Sequence, residues 1–529
     1  MSQHQAATLY PHRWLAMLIV SISVSIIIMD ATVVNVVLPV LIRELSLTPA
    51  DAEWVNSVYS LVFAAFLITA GRLGDMHGRR KLLLIGTVIF GIASVFAAVS
   101  ATGGQLIAAR LLQGLGGAMI LPATLSTVNA MFTGRERGIA FAIWGSTIGG
   151  MAALGPLVGG WLSTAFSWHW AFLINVPIVA IMLFGTLAVV PETREANMRK
   201  GLDPVGILLS VLGLGSFVFG LIEGQRYGWW APSDLAPAGL PLSPAPLALA
   251  FGVICLIAFV VYEKARKDSG KPVLVDLGLF RIGSFRIGSI AALVVALGEF
   301  GMLFALPLFL QGALDYSALD TGILVVFLAI GTFLISGGTP QLARRMGGRA
   351  VVQLGIGLEI IAILGLGFSF SVGAAFWVLA AWLFLYGVGV GLATAQLTSV
   401  ILAEVPVEQS GEASGLQSTV RQLGSALGIA LLGTVLVTTL KIDFATALSG
   451  MTDIGEPDRT AALALVGNSV GAAIPEIETA AIADAARAAL VQAARLTTFL
   501  AAGALLIGLV ASFRLPALKP REDVAATAH

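Results

Sequence analysis

Apolar residues run along this chain in blocks of about twenty, the length a helix needs to cross a bilayer. Fourteen blocks reach that length: 14–38, 54–73, 82–101, 104–128, 138–162, 170–190, 202–222, 246–263, 286–310, 321–340, 350–370, 373–397, 414–437 and 492–513. Lipid offers no partner to backbone N–H and C=O, so each block is expected to be a helix. The block 246–263 is the shortest and follows a Pro-rich stretch, 236–246. The polar links are short except for 438–491, which carries acids at 443, 453, 456, 458, 476, 478 and 484. A loop this long, with an amphipathic helix expected around 478–491, is predicted to cap one mouth of the protein or to tether the last two spans. The stretch 224–245, with Trp229 and Trp230, reads as an interfacial turn.

Charge changes this picture by giving the helices a direction. Residues 71–81, GRLGDMHGRRK, form a glycine-rich basic link between two blocks, with Asp75 set among Arg72, Arg79, Arg80 and Lys81. With the N-terminus on the cytoplasmic side, 22 of the 30 Lys and Arg residues fall on that side and six on the other, while Arg110 and Arg421 fall inside helices. Positive charge favours the cytoplasmic side, so fourteen spans with both termini inside are expected. The first block is long enough to span and is read as a retained helix, not a leader.

Composition agrees and excludes other classes. Hydrophobic residues are 57% and charged residues 11%, against about 25% charged in soluble domains. The lipid bilayer is therefore the expected solvent. Cys255 is the single cysteine, so no disulfide framework or cysteine metal cluster can form. The five histidines (4, 12, 77, 169 and 529) lack metal-ligand spacing, and the phosphate-binding loop of ATP-driven enzymes is missing. No catalytic constellation, metal or cofactor is expected, and the basic residues make no nucleic-acid footprint.

The link at 72–80, RLGDMHGRR, has a weaker twin at 341–349, QLARRMGGR. Leu73 pairs with Leu342, Gly78 with Gly347 and Arg80 with Arg349, while Arg344 stands where Asp75 does. This predicts an all-α integral membrane protein of two pseudo-symmetric six-helix bundles, residues 1–200 and 271–529, joined by two extra helices within 201–270. In such repeats the substrate site lies near the midplane, between the halves.

Charges at membrane depth are costly and mark candidate sites. Asp30 lies in SIIIMDATVVNVVLP, with Asn35 close by. Its charged form is expensive in an apolar setting, so reversible protonation is its expected use. Glu299 lies in ALVVALGEFGMLFALPLFLQ, the first helix of the second half, with Pro307 expected to break that helix above it. It is expected to line a central cavity together with Asp30, Asn35, Phe304 and Gln311. Glu359 and Glu223 are possible additional acids, the second near a helix end. Arg110 needs an acid, carbonyls or water nearby, and a network with Asp30 is one possibility. Arg421 sits in a glycine- and glutamine-rich setting suited to packing with polar contact. The segment 149–160, GGMAALGPLVGG, offers a close-packing seam through Gly155, Gly159 and Gly160, with Pro156 expected to bend it.

Together these motifs resemble the fourteen-helix drug:proton antiporter family of the major facilitator superfamily, over nearly the whole chain. The resemblance is carried by MDATVVNVVLP (29–39), GRLGDMHGRRK (71–81), RLLQG (110–114), GPLVGG (155–160), WHWAFLINVP (168–177), PLFLQGALDYSALDTG (307–322) and TVRQLGSALG (419–428). It implies that Asp75, with Arg79 and Arg80, gates the inner side and that Arg110 takes part in proton coupling. It also implies that Gly155, Pro156, Gly159 and Gly160 mark an antiporter, and that Asp30 is the first-helix acid. Glu299 has no place in those motifs.

The expected activity is export of hydrophobic, cationic compounds by alternating access, in exchange for protons, by a functional monomer in a bacterial cytoplasmic membrane. Asp30, Arg110 and Glu299 are expected to couple protons. Aromatic surface would come from Trp54, Phe63, Phe304, Phe309, Trp377 and Trp382. The alternatives are an exporter of a lipid, amino acid or small metabolite, and a non-transporting membrane scaffold. Asp75 is expected at the inner end of block 54–73, near the start of block 350–370 or the loop before it.

Overall fold

The structure, a computed structural model, describes residues 10–47, 49–193, 201, 203–232, 236, 241–406, 409–451 and 454–516. The side chain of Asn35 and the basic residues 194, 199, 200, 519 and 521 lie outside the described residues. The described residues are helical apart from the links between helices. The first group is α1 (Arg13–Glu44), α2 (Pro49–His77), α3 (Arg79–Ala98), α4 (Gly103–Met131), α5 (Gly134–Ala165), α6 (His169–Leu173) and α7 (Asn175–Val189). Then come α8 (Pro204–Tyr227) and α9 (Pro244–Asp268). The remainder is α10 (Gly283–Leu314), α11 (Ala318–Ser336), α12 (Thr339–Met346), α13 (Gly348–Ser369), α14 (Phe376–Leu402), α15 (Ser410–Ser449), α16 (Glu456–Asn468) and α17 (Ala480–Ser512).

Among the described residues twelve helices are long and apolar enough to cross a membrane, or thirteen if α11 and α12, bent by 56° at their junction, make one span. The expected count of fourteen is thus not reached by that measure. α5 is 32 residues long and stands outside the count. The uncertain block 246–263 is a full 25-residue helix, capped by the Ser243 hydroxyl with Pro244 at its first turn. Block 170–190 is interrupted where α6 passes into α7, and this break sets Asn175 at the start of α7.

Two expectations change. Pro307 does not break α10, which runs through it, as α5 runs through Pro156. The stretch 438–491 is not a loop. α15 continues to Ser449, α16 follows, and α17 already begins at Ala480. The cause is local and tertiary together. Ala-rich 480–494 favours helix outright, and Leu436, Leu440, Phe444 and Leu448 extend a buried stripe along α15 into one core with Ala462, Val466 and Ile474.

Helices α1 and α5 pack together, as do α2 with α4 and α3 with α4; later in the chain α10 packs on α15 and α17, and α13 on α14. The two groups meet where α5 lies against α11 and α14, and where α2 lies against α15. α8 and α9 pair with each other, and α8 rests on α2 and α15. The α1–α5 crossing explains GPLVGG. A Cβ on Gly155 would collide with the Thr32 hydroxyl and stand 3.0 Å from the Met29 carbonyl; one on Gly159 would stand 3.1 Å from the Val33 carbonyl. The backbones flanking Asp30 thus approach α5 as closely as glycine permits. The repeated basic link has a backbone counterpart. Gly78 and Gly347 open α3 and α13 with φ of 112° and 85°, a region that favours glycine.

Gly155→Val is expected to push α1 off α5 and cost about 1–3 kcal/mol of stability, read as a lowered unfolding temperature in detergent. Gly160→Ala, whose new methyl would meet nothing closer than 3.6 Å, is the matched control and should leave that temperature unchanged.

Candidate functional site

The acids singled out by sequence fall into three places. Asp30 on α1 lies inside the first helix group, only 1% exposed. Its Oδ2 accepts from Arg110 Nη1 at 2.5 Å, and its Oδ1 accepts from Gln113 Nε2 at 3.0 Å and Asn175 Nδ2 at 2.7 Å. The Ser94 hydroxyl on α3 accepts from both amides, at 2.9 and 3.2 Å. Arg110 also donates from Nε to the Val55 carbonyl (3.2 Å) and stacks over the Tyr59 ring at 4.4 Å. Donors from two helices, α4 and α7, thus reach one carboxylate, and α2 and α3 hold those donors in place. Asp30 is neither unpaired nor open to a central cavity here, because donors from α4 and α7 enclose it. Removing one partner from such a buried pair strands a charge, at about 3–5 kcal/mol.

The second place is the membrane face where Arg72, Arg79, Arg80 and Arg137 lie, termed the basic face. Asp75 is fully buried and accepts two bonds from its neighbour Arg79, at 3.0 and 2.8 Å. Its other oxygen accepts from the backbone N–H of Glu412 at 2.8 Å. Glu412 lies in the first turn of α15, so Asp75 is seated on that helix's N-terminus, where unpaired N–H groups and the helix dipole favour an anion. The expected position near the start of block 350–370 is thereby corrected: the free donors that attract it are those of α15. Arg80 turns elsewhere, donating to the Leu187 carbonyl at 2.5 Å. Glu412 extends the contact. Its carboxylate accepts from the Asp276 backbone N–H in the link before α10 and faces Arg72 at 3.7 Å. A second clasp lies beside the first: Arg137 near the start of α5 donates to the Leu402 carbonyl at the C-terminal end of α14, 2.9 Å away.

The third place is in the second helix group. Glu299 on α10 is 4% exposed and pairs with Arg421 of α15 at 3.6 Å. Glu359 on α13 and Tyr386 on α14 are fully buried within reach of the same two charges. Glu223 is held apart from this group, beside Arg226 at 3.6 Å. Phe304 and Gln311 are half-buried farther along α10. Of the aromatic candidates, Trp377 is 72% exposed and Phe309 is buried in a stack on Phe370. Two cavities beside α8 touch neither the Asp30 nor the Glu299 group; one of them is lined by Arg72 of the basic face.

The structure therefore brings Asp30 to Arg110, Asp75 to Arg79, and Glu299 to Arg421. Sequence reading missed Asn175, Arg137 and Glu412 as participants. Asn175 carried a usable signal, a carboxamide inside the apolar run AFLINVPIVA. Arg137 and Glu412 read as ordinary helix-start charges. Three histidines are described, and no cluster of His, Cys, Asp and Glu fit for a metal ion occurs among the described residues.

The two clasps join the helix groups at the basic face, each worth about 1 kcal/mol. In a Cys255→Ala background, combining Asp75→Asn with Arg137→Ala should raise labelling of a Ser414→Cys probe by an impermeant thiol reagent about tenfold or more. Unchanged labelling would mean that these contacts do not hold that face shut.

Comparison with known proteins places this architecture. The Major Facilitator Superfamily model matches residues 20–429. The multidrug efflux pump LfrA of Mycolicibacterium smegmatis is 32% identical over 483 residues, covering 90% of this chain and 91% of that protein. The puromycin resistance protein pur8 of Streptomyces alboniger is 32% identical over 432 residues, covering 80% and 82%. Among solved structures, the human organic anion transporter MFSD10 (TETRAN) covers 95% of this chain and 99% of its own, with a TM-score of 0.62 at 14% identity, a likeness of fold. With its long apolar helices, its basic link at 71–81 and these relatives, this multi-pass membrane chain belongs to the Major Facilitator Superfamily.

Proposed function

We propose that this protein is a proton-driven exporter of hydrophobic, cationic, drug-like compounds, working as a monomer with both termini in the cytoplasm. The observation that carries the reading is the Asp30–Arg110 assembly: a buried acid ringed by an arginine and two carboxamides inside a membrane protein. A scaffold gains nothing from such a group, whereas a proton carrier needs one whose counter-charge can move. The names of the relatives, an efflux pump and a resistance protein, support a drug-like cargo. The division into 1–200, 201–270 and 271–529 is supported by the packing groups and by α8–α9 standing between them.

In this reading the basic face is cytoplasmic, and its two clasps hold it closed while the opposite side takes up protons. Protonating Asp30 removes the charge that fixes Arg110, frees α4 from α1, and lets the helix groups rock. Glu299 draws the cation while ionised and releases it when neutral, since a neutral acid holds a cation poorly. Glycines 155 and 159 keep α5 against α1 during that motion. Asp75 gates by leaving the α15 N-terminus when the basic face opens.

Reconstituted in liposomes, the wild type should move ethidium only when a pH gradient is imposed, and in the direction that the gradient sets. Asp30→Asn and Glu299→Gln should each lose pH-driven movement at least about tenfold. Ethidium flux that ignores the gradient in all three proteins would sink the antiport reading.

A further inference from the structure

We propose that Glu359 and Glu299 form a shared proton site in the second helix group, separate from Asp30, in which Glu359 holds the proton while Arg421 faces Glu299. Glu359 is wholly buried in α13, and neither of its carboxyl oxygens has a hydrogen-bond partner among the described residues. It lies against α14: a Cβ placed on Gly389 would come within 2.7 Å of the Glu359 Cγ. The charged and titratable groups around it are Glu299 from α10, Tyr386 from α14 and Arg421 from α15. The Tyr386 hydroxyl is likewise buried and unpartnered among the described residues. From α17, which also packs on α13, Arg495 is engaged elsewhere, at the Phe370 carbonyl beyond the end of α13.

The charge count decides the state. Two carboxyl groups share one guanidinium, and Arg421 stands 3.6 Å from Glu299. A second carboxylate, unpaired and dry, is far costlier than a neutral carboxylic acid. One proton therefore stays in the cluster, on the acid that Arg421 does not face. The three charged groups come from three different helices. This gives the chain a second proton-binding position, in the half opposite Asp30. Its use in transport rests on the proton-driven reading above; the site itself does not.

The test is infrared spectroscopy of the purified full-length protein in lipid vesicles at neutral pH, without substrate. The wild type should show a carboxylic acid C=O stretch, sensitive to D2O. A component of the band should be lost in Glu359→Gln, shifted in Glu359→Asp and retained in Asp30→Asn. A band that survives Glu359→Gln unchanged, or a wild type without one, overturns the proposal. Should Glu359→Gln not fold, an unshifted band in Glu359→Asp overturns it equally. Ethidium flux in the same vesicles separates the two readings: a wild type that moves none sinks the export reading, while the infrared result still decides this one.

Discussion

The contacts that join the two helix groups at the basic face depend on one rule of peptide electrostatics: a helix leaves unpaired N–H groups at its start and unpaired carbonyls at its end. The protein meets both ends of this rule in one place. The carboxylate of Asp75, from α2, sits on the first N–H groups of α15. The guanidinium of Arg137, from α5, sits on the last carbonyl of α14. An acid from the first helix group meets a positive helix end in the second, and a base meets a negative one. Both contacts cross the seam between the two helix groups. Glu412 ties the link before α10 to the same point.

Inside the membrane the same economy of charge recurs. Each helix group pairs a buried acid with an arginine, Asp30 with the buried Arg110 and Glu299 with the half-buried Arg421. The two differ in how well they are satisfied. Asp30 takes three side-chain donors at hydrogen-bond distance, whereas Arg421 stands at 3.6 Å from Glu299. The first is the tighter pair and the second the looser one.

Much of this was legible one helix at a time. The spanning lengths, the basic links, and the presence of Asp30, Arg110, Glu299 and Glu359 at depth all follow from local composition. The paired glycines Gly78 and Gly347 were legible as a repeat and take the same class of backbone conformation. The errors were of two kinds. Pro307 was expected to break a helix that in fact continues, because neighbouring groups re-satisfy the backbone that a proline frees. The stretch 438–491 was read as a loop from its acids, although its alanine content and its Leu436–Leu440–Phe444–Leu448 stripe argue for helix.

What the sequence by itself determined is the solvent, the helical class, the candidate charges and the family, because each depends on residue type and on spacing within a single helix. What only the tertiary structure decided is which charge answers which. Asp30 and Arg110 are 80 positions apart, Asp75 and Glu412 are 337, and Arg137 and Leu402 are 265. No local period links such positions. Their pairing follows from how the helices cross, and that in turn follows from where glycines let two backbones meet.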